Sequence, residues 1–319
     1  MPSLRLARHA MATRFELVLH GDRPEALRAA GEEALNEIER LENLLSLYRT
    51  HTEIAQLNAR AARGWVRVST PVFRLLEHAR RLTEETAGAF DLTAGPLICC
   101  WGFQGGTGRK PAPEEIDEAR ACVGMNLVEM NASTSAVRFT RSGVSLDLGA
   151  IGKGYAIDRA VEILREAGVT SALLHGGTST TAAIGAPPGA AAWHIAVDLP
   201  STDASSPPRR LAVAPLRDES LSISAVWGRS FQSGDQRFGH VIDPRTGQPV
   251  QAALLAALVL PSATESDALS TALLLDGPKG LAAMTRTRPM AKALIAAGTE
   301  AAPVIHRHGW PAQPPASAS

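Results

Sequence analysis

The sequence predicts an α+β fold. Some segments alternate apolar and polar residues, as half-buried strands do, while others repeat apolar residues every three to four positions, as helices do. The two kinds follow one another without strict β-α-β alternation, which points away from a doubly wound parallel sheet. Apolar residues make up 45% of the 319, enough for a substantial core.

The elements follow in order. Thr13–His20 alternates and reads as a strand. Asp22, Pro24 and Glu25 then supply a cap, a first-turn proline and an early acid, the signature of a helix start. Leu27, Ala34, Leu35, Ile38, Leu41 and Leu45 carry that helix to about Leu47, with Glu32, Glu33, Glu37 and Arg40 on a solvated face. A second helix covers Pro71–Thr86, with Phe73, Leu75, Leu76, Ala79 and Leu82 inside and Gly88 as its stop. A glycine-rich loop spans Gly105–Gly108, and a third helix starts near Pro113. Strands are expected at Ala136–Thr140, Val144–Leu148, Ser171–Leu174 and Trp193–Val197. Three more are expected at Leu211–Pro215, Leu221–Ser224 and Leu254–Leu260, and Gly154–Glu166 reads as helix. Ser201–Arg210 reads as a surface loop and residues 311–319 as a disordered tail. Neither a repeat nor a linker-like shift in composition interrupts residues 1–310, which read as one integrated domain.

Thirty-two basic side chains balance thirty-two acidic ones. Such a chain lacks the cationic surplus that nucleic-acid phosphates reward, and no nucleic-acid partner is expected. Cys99, Cys100 and Cys122, an odd set with two adjacent, do not form a disulfide framework. The opening Met1–Arg8 is charged, with no apolar run behind it, and no stretch reaches bilayer length. The chain as given therefore reads as soluble and cytoplasmic, without a membrane segment or lipid-anchor cysteine. The order of glycines in Gly149–Gly154 matches neither a dinucleotide fingerprint nor a P-loop. Gly177-Thr178-Ser179-Thr180-Thr181 lacks the last glycine of a nucleophile elbow. His306 and His308, beside the tail, read as solvated.

Four segments are too polar and too glycine-rich for plain scaffolding. They are Gly88–Leu97 (GAFDLTAGPL), Asp147–Asp158 (DLGAIGKGYAID), His240–Gly247 (HVIDPRTG) and Ser266–Leu273 (SDALSTAL). In this order they resemble the ApbE family of FAD:protein FMN transferases, and the resemblance runs from Met11 to about Gly277. Met11-Ala12-Thr13, Leu45–Tyr48 with Asn58, Trp101-Gly102-Phe103 and Gly176-Gly177 fit the same family. Thr178 stands where many members carry an acid or amide, and Ile223–Arg229 departs from the usual Thr-Ser-Gly before the histidine segment.

The resemblance implies an ApbE-like α+β fold and a reaction. FAD is cleaved at its pyrophosphate, the FMN half passes to a threonine hydroxyl of an acceptor protein, and AMP leaves. It implies Mg2+ held by Asp267, Thr271 and the backbone carbonyl of Ala150, and FAD contacts at Met11, Tyr48, Ala89, Phe90, Asp91, Asp147, Lys153 and the Val241 backbone. Asp267 and Thr271 are four apart, so a helix would set them on one face; standing alone they read rather as a helix start capped by Ser266 or Asp267, with Thr271 facing solvent, and the other three segments turn the reading to the metal. The Lys153 ammonium suits a phosphate oxygen, with Gly152 and Gly154 allowing close approach. Tyr48 suits stacking on a flavin, with ordinary core packing the alternative for it and for Met11; Tyr155, the only other tyrosine, supports the Lys153 loop. Asp91 suits ribose or adenine groups, whereas the Phe90 ring reads as core. Asp158 reads as beginning or capping its own helix. His240 is expected as the catalytic base, with a structural role in the turn weighed equally. Two other readings stand beside transfer: a non-catalytic FAD-binding protein, and an FAD pyrophosphatase that releases FMN and AMP. Family members are often exported or membrane-anchored.

Overall fold

The computed structural model of the chain describes residues 2–200, 208–234 and 236–310. Most of the expected Ser201–Arg210 loop and all of the expected tail lie outside the described residues. In chain order, strands β1 (Ser3–Ala10) and β2 (Thr13–His20) precede helices α1 (Pro24–Leu45) and α2 (Glu53–Arg60). Then come β3 (Val66–Arg67), α3 (Thr70–Glu85), α4 (Gly95–Cys100), α5 (Pro113–Arg120), β4 (Val128–Asn131) and β5 (Ala136–Phe139). Helix α6 (Gly152–Glu166) leads to β6 (Ala172–Gly176), β7 (Thr180–Ile184), β8 (Trp193–Leu199), β9 (Arg209–Leu216) and β10 (Ser220–Ala225). The short pair β11 (Ser230–Ser233) and β12 (Gln236–Gly239) follows, then β13 (Leu255–Leu260). The described chain ends with α7 (Ala263–Asp276), α8 (Pro278–Thr287), β14 (Lys292–Gly298) and β15 (Pro303–His308). Helices and antiparallel strands are mixed, as an α+β fold requires.

The chain gathers into two compact units, each woven from separate stretches. The first comprises Met1–Glu39, Lys153–Ser224 and Ala252–Ser319. Its frame is a sheet in the order β1-β2-β6-β7-β10-β13-β14-β15. Every residue of β13 is buried, and α7 packs against it with residues buried on all sides. A helix with no solvated face belongs to a core, and polar side chains there need partners.

The second unit comprises Arg40–Gly152 and Ala225–Gln251. It combines helices α2 to α5 with a small sheet in the order β3-β5-β4 and the β11-β12 hairpin. One apolar cluster, Leu97, Trp101, Phe103, Ile116, Phe238 and Ile242, joins α4 and α5 to that hairpin and to the histidine segment.

Two sequence readings need correction. Val144–Leu148 is extended but is not a sheet strand. The Asn58 side chain takes a neighbouring strand's place: its Nδ2 donates to the Leu146 carbonyl (2.9 Å) and its Oδ1 accepts the Leu146 N–H (2.8 Å). A side-chain amide carries the same donor and acceptor as a peptide, so it satisfies one extended residue completely. The loop reading to Arg210 runs too far, since β9 begins at Arg209. His306 and His308, read as solvated, lie partly exposed in β15, a paired strand.

Candidate active site

The first unit carries Met11, Lys153, Asp267 and Thr271; the second carries Tyr48, Ala89, Phe90, Asp91, Asp147, Ala150, His240 and Val241. In the first unit, α7 is the organising element. Its N-cap is Ser262, whose Oγ accepts from the Glu265 N–H (3.2 Å), so neither Ser266 nor Asp267 is the cap. Asp158 completes that end from α6. Its carboxylate accepts from Ser262 Oγ (2.7 Å), the Ala263 and Thr264 N–H groups (2.7 and 2.9 Å) and Thr264 Oγ1 (2.6 Å). An anion across a helix start meets unpaired N–H groups and the positive end of the dipole. Asp158 therefore caps α7, not its own helix.

Freed from capping, Asp267 sits 5% exposed in the first half of α7. One carboxylate oxygen accepts the Gly154 N–H (3.0 Å) and the other the Thr180 hydroxyl (3.2 Å). Both donors are neutral, and among the described residues no cation pairs with this carboxylate. A buried unpaired anion is costly, and a bound cation removes that cost. One helical turn on, Thr271 Oγ1 lies 3.1 Å from Ser224 Oγ and 3.4 Å from the Asp267 carbonyl. A carboxylate and a hydroxyl on one helix face are hard oxygen donors that fit Mg2+. Among the described residues, no cluster of three or more His, Cys, Asp or Glu side chains offers a competing seat.

Gly154 is required by packing. A Cβ there would meet the Ala263 carbonyl oxygen at 2.2 Å and Asp267 Cβ at 2.8 Å. The space expected to admit a ligand phosphate is filled by α7, and the glycine lets α6 deliver its N–H to Asp267. Lys153 precedes it in the first turn of α6, and Tyr155 follows two residues later. Met11 and Ala12 form the two-residue turn of the β1-β2 hairpin, both in the left-handed region at φ 50° and 57°.

In the second unit, Asp147 opens the glycine loop. Its Oδ1 accepts the Gly149 N–H (2.8 Å), and its own N–H donates to the Leu92 carbonyl (2.7 Å). Ala150 lies in the turn just before α6. Ala89 and Phe90 are core residues at 1% and 2% exposure, in accord with the core reading of the Phe90 ring. Both carboxylate oxygens of Asp91 are engaged by the protein: Oδ1 by the Thr93 N–H and hydroxyl (2.8 and 2.6 Å), Oδ2 by the Met125 N–H (3.3 Å). Burial pushes the Asp91 carboxyl above the ordinary aspartate value, against the lowering effect of those donors. Tyr48 is 61% exposed, which removes core packing as its role.

His240 follows β12, and Val241 accepts the Val250 N–H at its carbonyl (2.9 Å). The His240 N–H donates to the Arg229 carbonyl (3.1 Å), and Nδ1 lies 3.1 Å from the same oxygen. In the tautomer with the proton on Nδ1, that nitrogen donates and Nε2 carries the lone pair, the state a base requires. The ring meets Phe103 edge-on at 6.4 Å, and Arg229 in turn donates to the Phe103 carbonyl (2.8 Å). Trp101 Nε1 donates to the Gly247 carbonyl (2.8 Å), while Asp243 pairs with Arg245 through two nitrogens (2.9 and 2.8 Å). Gly247 closes the turn at φ +73°, where a Cβ would strike Ile116 at 2.5 Å. Trp101 and Phe103 thus fix the histidine segment. Sequence reasoning gave no role to the hydroxyls of Thr180, Ser222 and Ser270 and read Ser266 only as a cap candidate.

The ApbE family model matches residues 11–295. An FAD:protein FMN transferase of Treponema pallidum (strain Nichols) is 30% identical over 291 residues, covering 87% of this chain and 80% of that protein. One from Klebsiella pneumoniae (strain 342) is 32% identical over 252 residues, covering 77% and 76%. Among solved structures, the ApbE protein of Thermotoga maritima superposes with a TM-score of 0.85 at 28% identity, over 96% of this chain and 97% of that one. The apo flavinyl transferase ApbE of Pseudomonas stutzeri gives 0.81 at 27%, over 96% and 94%. With its model matched over nearly the whole length and the same fold in its solved relatives, the chain belongs to the ApbE family.

Proposed function

We propose that this protein is an FAD:protein FMN transferase that moves the FMN half of FAD onto a threonine hydroxyl of an acceptor protein and releases AMP. The observation that carries the metal half of this reading is Asp267: a buried carboxylate held by two neutral donors, with the Thr271 hydroxyl one turn away. Asp267, Thr271 and the Ala150 carbonyl would hold Mg2+. Bound there, the ion would neutralise charge on the pyrophosphate oxygens.

The remaining work falls to the chain's own groups. Lys153 binds a phosphate oxygen as a point charge. Tyr48, exposed and aromatic, stacks on the isoalloxazine, and Met11 is a second flavin contact. Asp147 and the Ala89-Phe90-Asp91 segment orient the rest of FAD, with Asp91 Oδ2, which accepts the Met125 N–H at 3.3 Å, keeping a lone pair for ribose or adenine groups. His240 Nε2 takes the proton of the acceptor threonine as its oxygen attacks the phosphorus of the FMN half. A phosphorus–oxygen bond forms to threonine and the one to AMP breaks.

The test is direct. Incubating the protein with FAD, MgCl2 and a threonine-bearing acceptor should give a fluorescent covalent flavoprotein and one AMP per flavin attached. Free FMN and AMP formed without an acceptor would indicate the pyrophosphatase reading. FAD binding with no AMP under any condition would indicate a non-catalytic flavin binder.

A further inference from the structure

Behind each presumed metal ligand stands a strand hydroxyl. Thr180 on β7 donates to Asp267 Oδ1 (3.2 Å), and Ser224 on β10 lies 3.1 Å from Thr271 Oγ1. Thr180, Ser222, Ser266 and Ser270 are all buried. Their protons can be traced. Ser270 donates to the Asp267 carbonyl (3.0 Å), so at its 2.8 Å contact it accepts from Ser224. Ser224, having spent its proton there, is left to accept from Thr271 at 3.1 Å, and the Asp267 carbonyl accepts from the same hydroxyl at 3.4 Å. The chain Thr271 to Ser224 to Ser270 turns the Thr271 proton inward and leaves its lone pairs for a cation. On the other ligand, Ser266 donates to the Ala263 carbonyl (3.1 Å) and accepts from Ser222 (2.8 Å). Ser222 Oγ is also placed to donate to Thr180 Oγ1 (3.4 Å), and the Asp267 carboxylate, an acceptor, takes the Thr180 proton.

Resting on the reading of Asp267 and Thr271 as Mg2+ ligands, we propose that Thr180 and Ser224 are positioning residues that preset both ligands for the ion. Thr180 and the Gly154 N–H take one lone pair from each Asp267 oxygen, fixing the carboxylate plane and leaving a second pair on each. Groups of this kind, one bond removed from a metal, change affinity by about 10–100-fold when removed. Neither residue touches FAD or the acceptor in this reading, so the effect belongs to metal affinity and not to the chemical step.

The experiment titrates MgCl2 against the full-length protein and reads two quantities: the Mg2+ concentration for half-maximal thermal stabilisation without FAD, and that for half-maximal flavin transfer. Thr180→Val keeps the shape and removes the hydroxyl. It should raise both midpoints about tenfold or more, with transfer recovering at saturating Mg2+; Thr180→Ser should restore wild-type midpoints. Ser224→Ala should act in the same direction and carries the test if Thr180→Val does not fold. Unchanged midpoints in Thr180→Val and Ser224→Ala, alongside a lost Mg2+ response in Asp267→Ala, would overturn the positioning roles and leave the metal reading standing. A normal Mg2+ response in Asp267→Ala would overturn the metal reading itself.

Discussion

The α6-α7 seat of Asp267 and the turn that bears His240 solve the same problem, holding one chemical group still, by opposite means. Asp267 is part of a packed core. Its partners are a backbone N–H delivered through a glycine with no room for a side chain, and hydroxyls that are themselves buried. His240 stands at the edge of a cluster, hydrogen-bonded to one carbonyl and braced edge-on by one ring. In the first region the fold and the presumed chemistry share the same atoms. In the second, Trp101, Phe103, Arg229 and Asp243 carry the fold around the histidine proposed as the base. Substitutions should therefore separate activity from stability at His240 and fail to separate them around Asp267.

The largest effect tests the separable side. His240→Ala should lower flavin transfer by about 10²–10⁴-fold, the usual range for loss of a general base. Its melting temperature should stay close to that of the parent, because the turn is closed by Asp243, Arg245 and Gly247, not by the imidazole. A variant that melts much earlier and keeps transfer per folded molecule would make His240 a structural residue.

The inseparable side should break in the opposite way. Gly154→Ala places a methyl group 2.2 Å from a backbone oxygen, and neither α6 nor α7 can yield without moving Asp267. Overpacking of this kind costs about 1–3 kcal/mol or more, and transfer should fall together with the denaturation midpoint. Asp158→Ala removes all four bonds to the start of α7 and should cost about 2–3 kcal/mol, given that caps and charge-assisted hydrogen bonds each contribute about 1–2. Chemical denaturation measures both. A stable Gly154→Ala protein with normal Mg2+ dependence would break the contrast.

The same contrast explains what could be read from the sequence. Residues 13–20, Pro24 onward, Pro71–Thr86 and Gly154–Glu166 were legible as elements because alternation and helical spacing are local. The four polar segments were legible as candidate site segments because they are too polar and glycine-rich for plain scaffolding. What could not be read are relations across long separations. Val144–Leu148 has the pattern of a strand, yet a side chain 88 residues earlier fills the neighbouring position at Leu146. Asp158 looks like a cap for the helix it sits in, yet it caps one whose N-cap residue lies 104 residues later. The hydroxyls of Thr180, Ser222 and Ser224 resemble strand filler until α7 is laid over them. Tyr48 shows the reverse: scarcity of tyrosine singled it out, and its exposure now argues against a packing role.

The smallest predicted effect lies where neither device operates. The β1-β2 hairpin pairs Ala10 with Thr13, which leaves a two-residue turn whose members, Met11 and Ala12, both have positive φ. Such turns favour glycine or asparagine, and a residue with a Cβ in this region is disfavoured by about 1–2 kcal/mol. Ala12→Gly removes that strain and restores some freedom to the unfolded chain, which returns part of the gain. The net expectation is a stabilisation of about 0.5–1 kcal/mol, or a rise of about 1–4 °C in melting temperature. If Met11 is a flavin contact, its placement is fixed by the strands on either side of the turn, so the KM for FAD should not change. A lower melting temperature would mean that the Ala12 methyl makes contacts worth more than the strain. A raised KM with unchanged stability would mean that the strained turn itself presents Met11 to the flavin, and the hairpin would then join Asp267 among the places where fold and chemistry share their atoms.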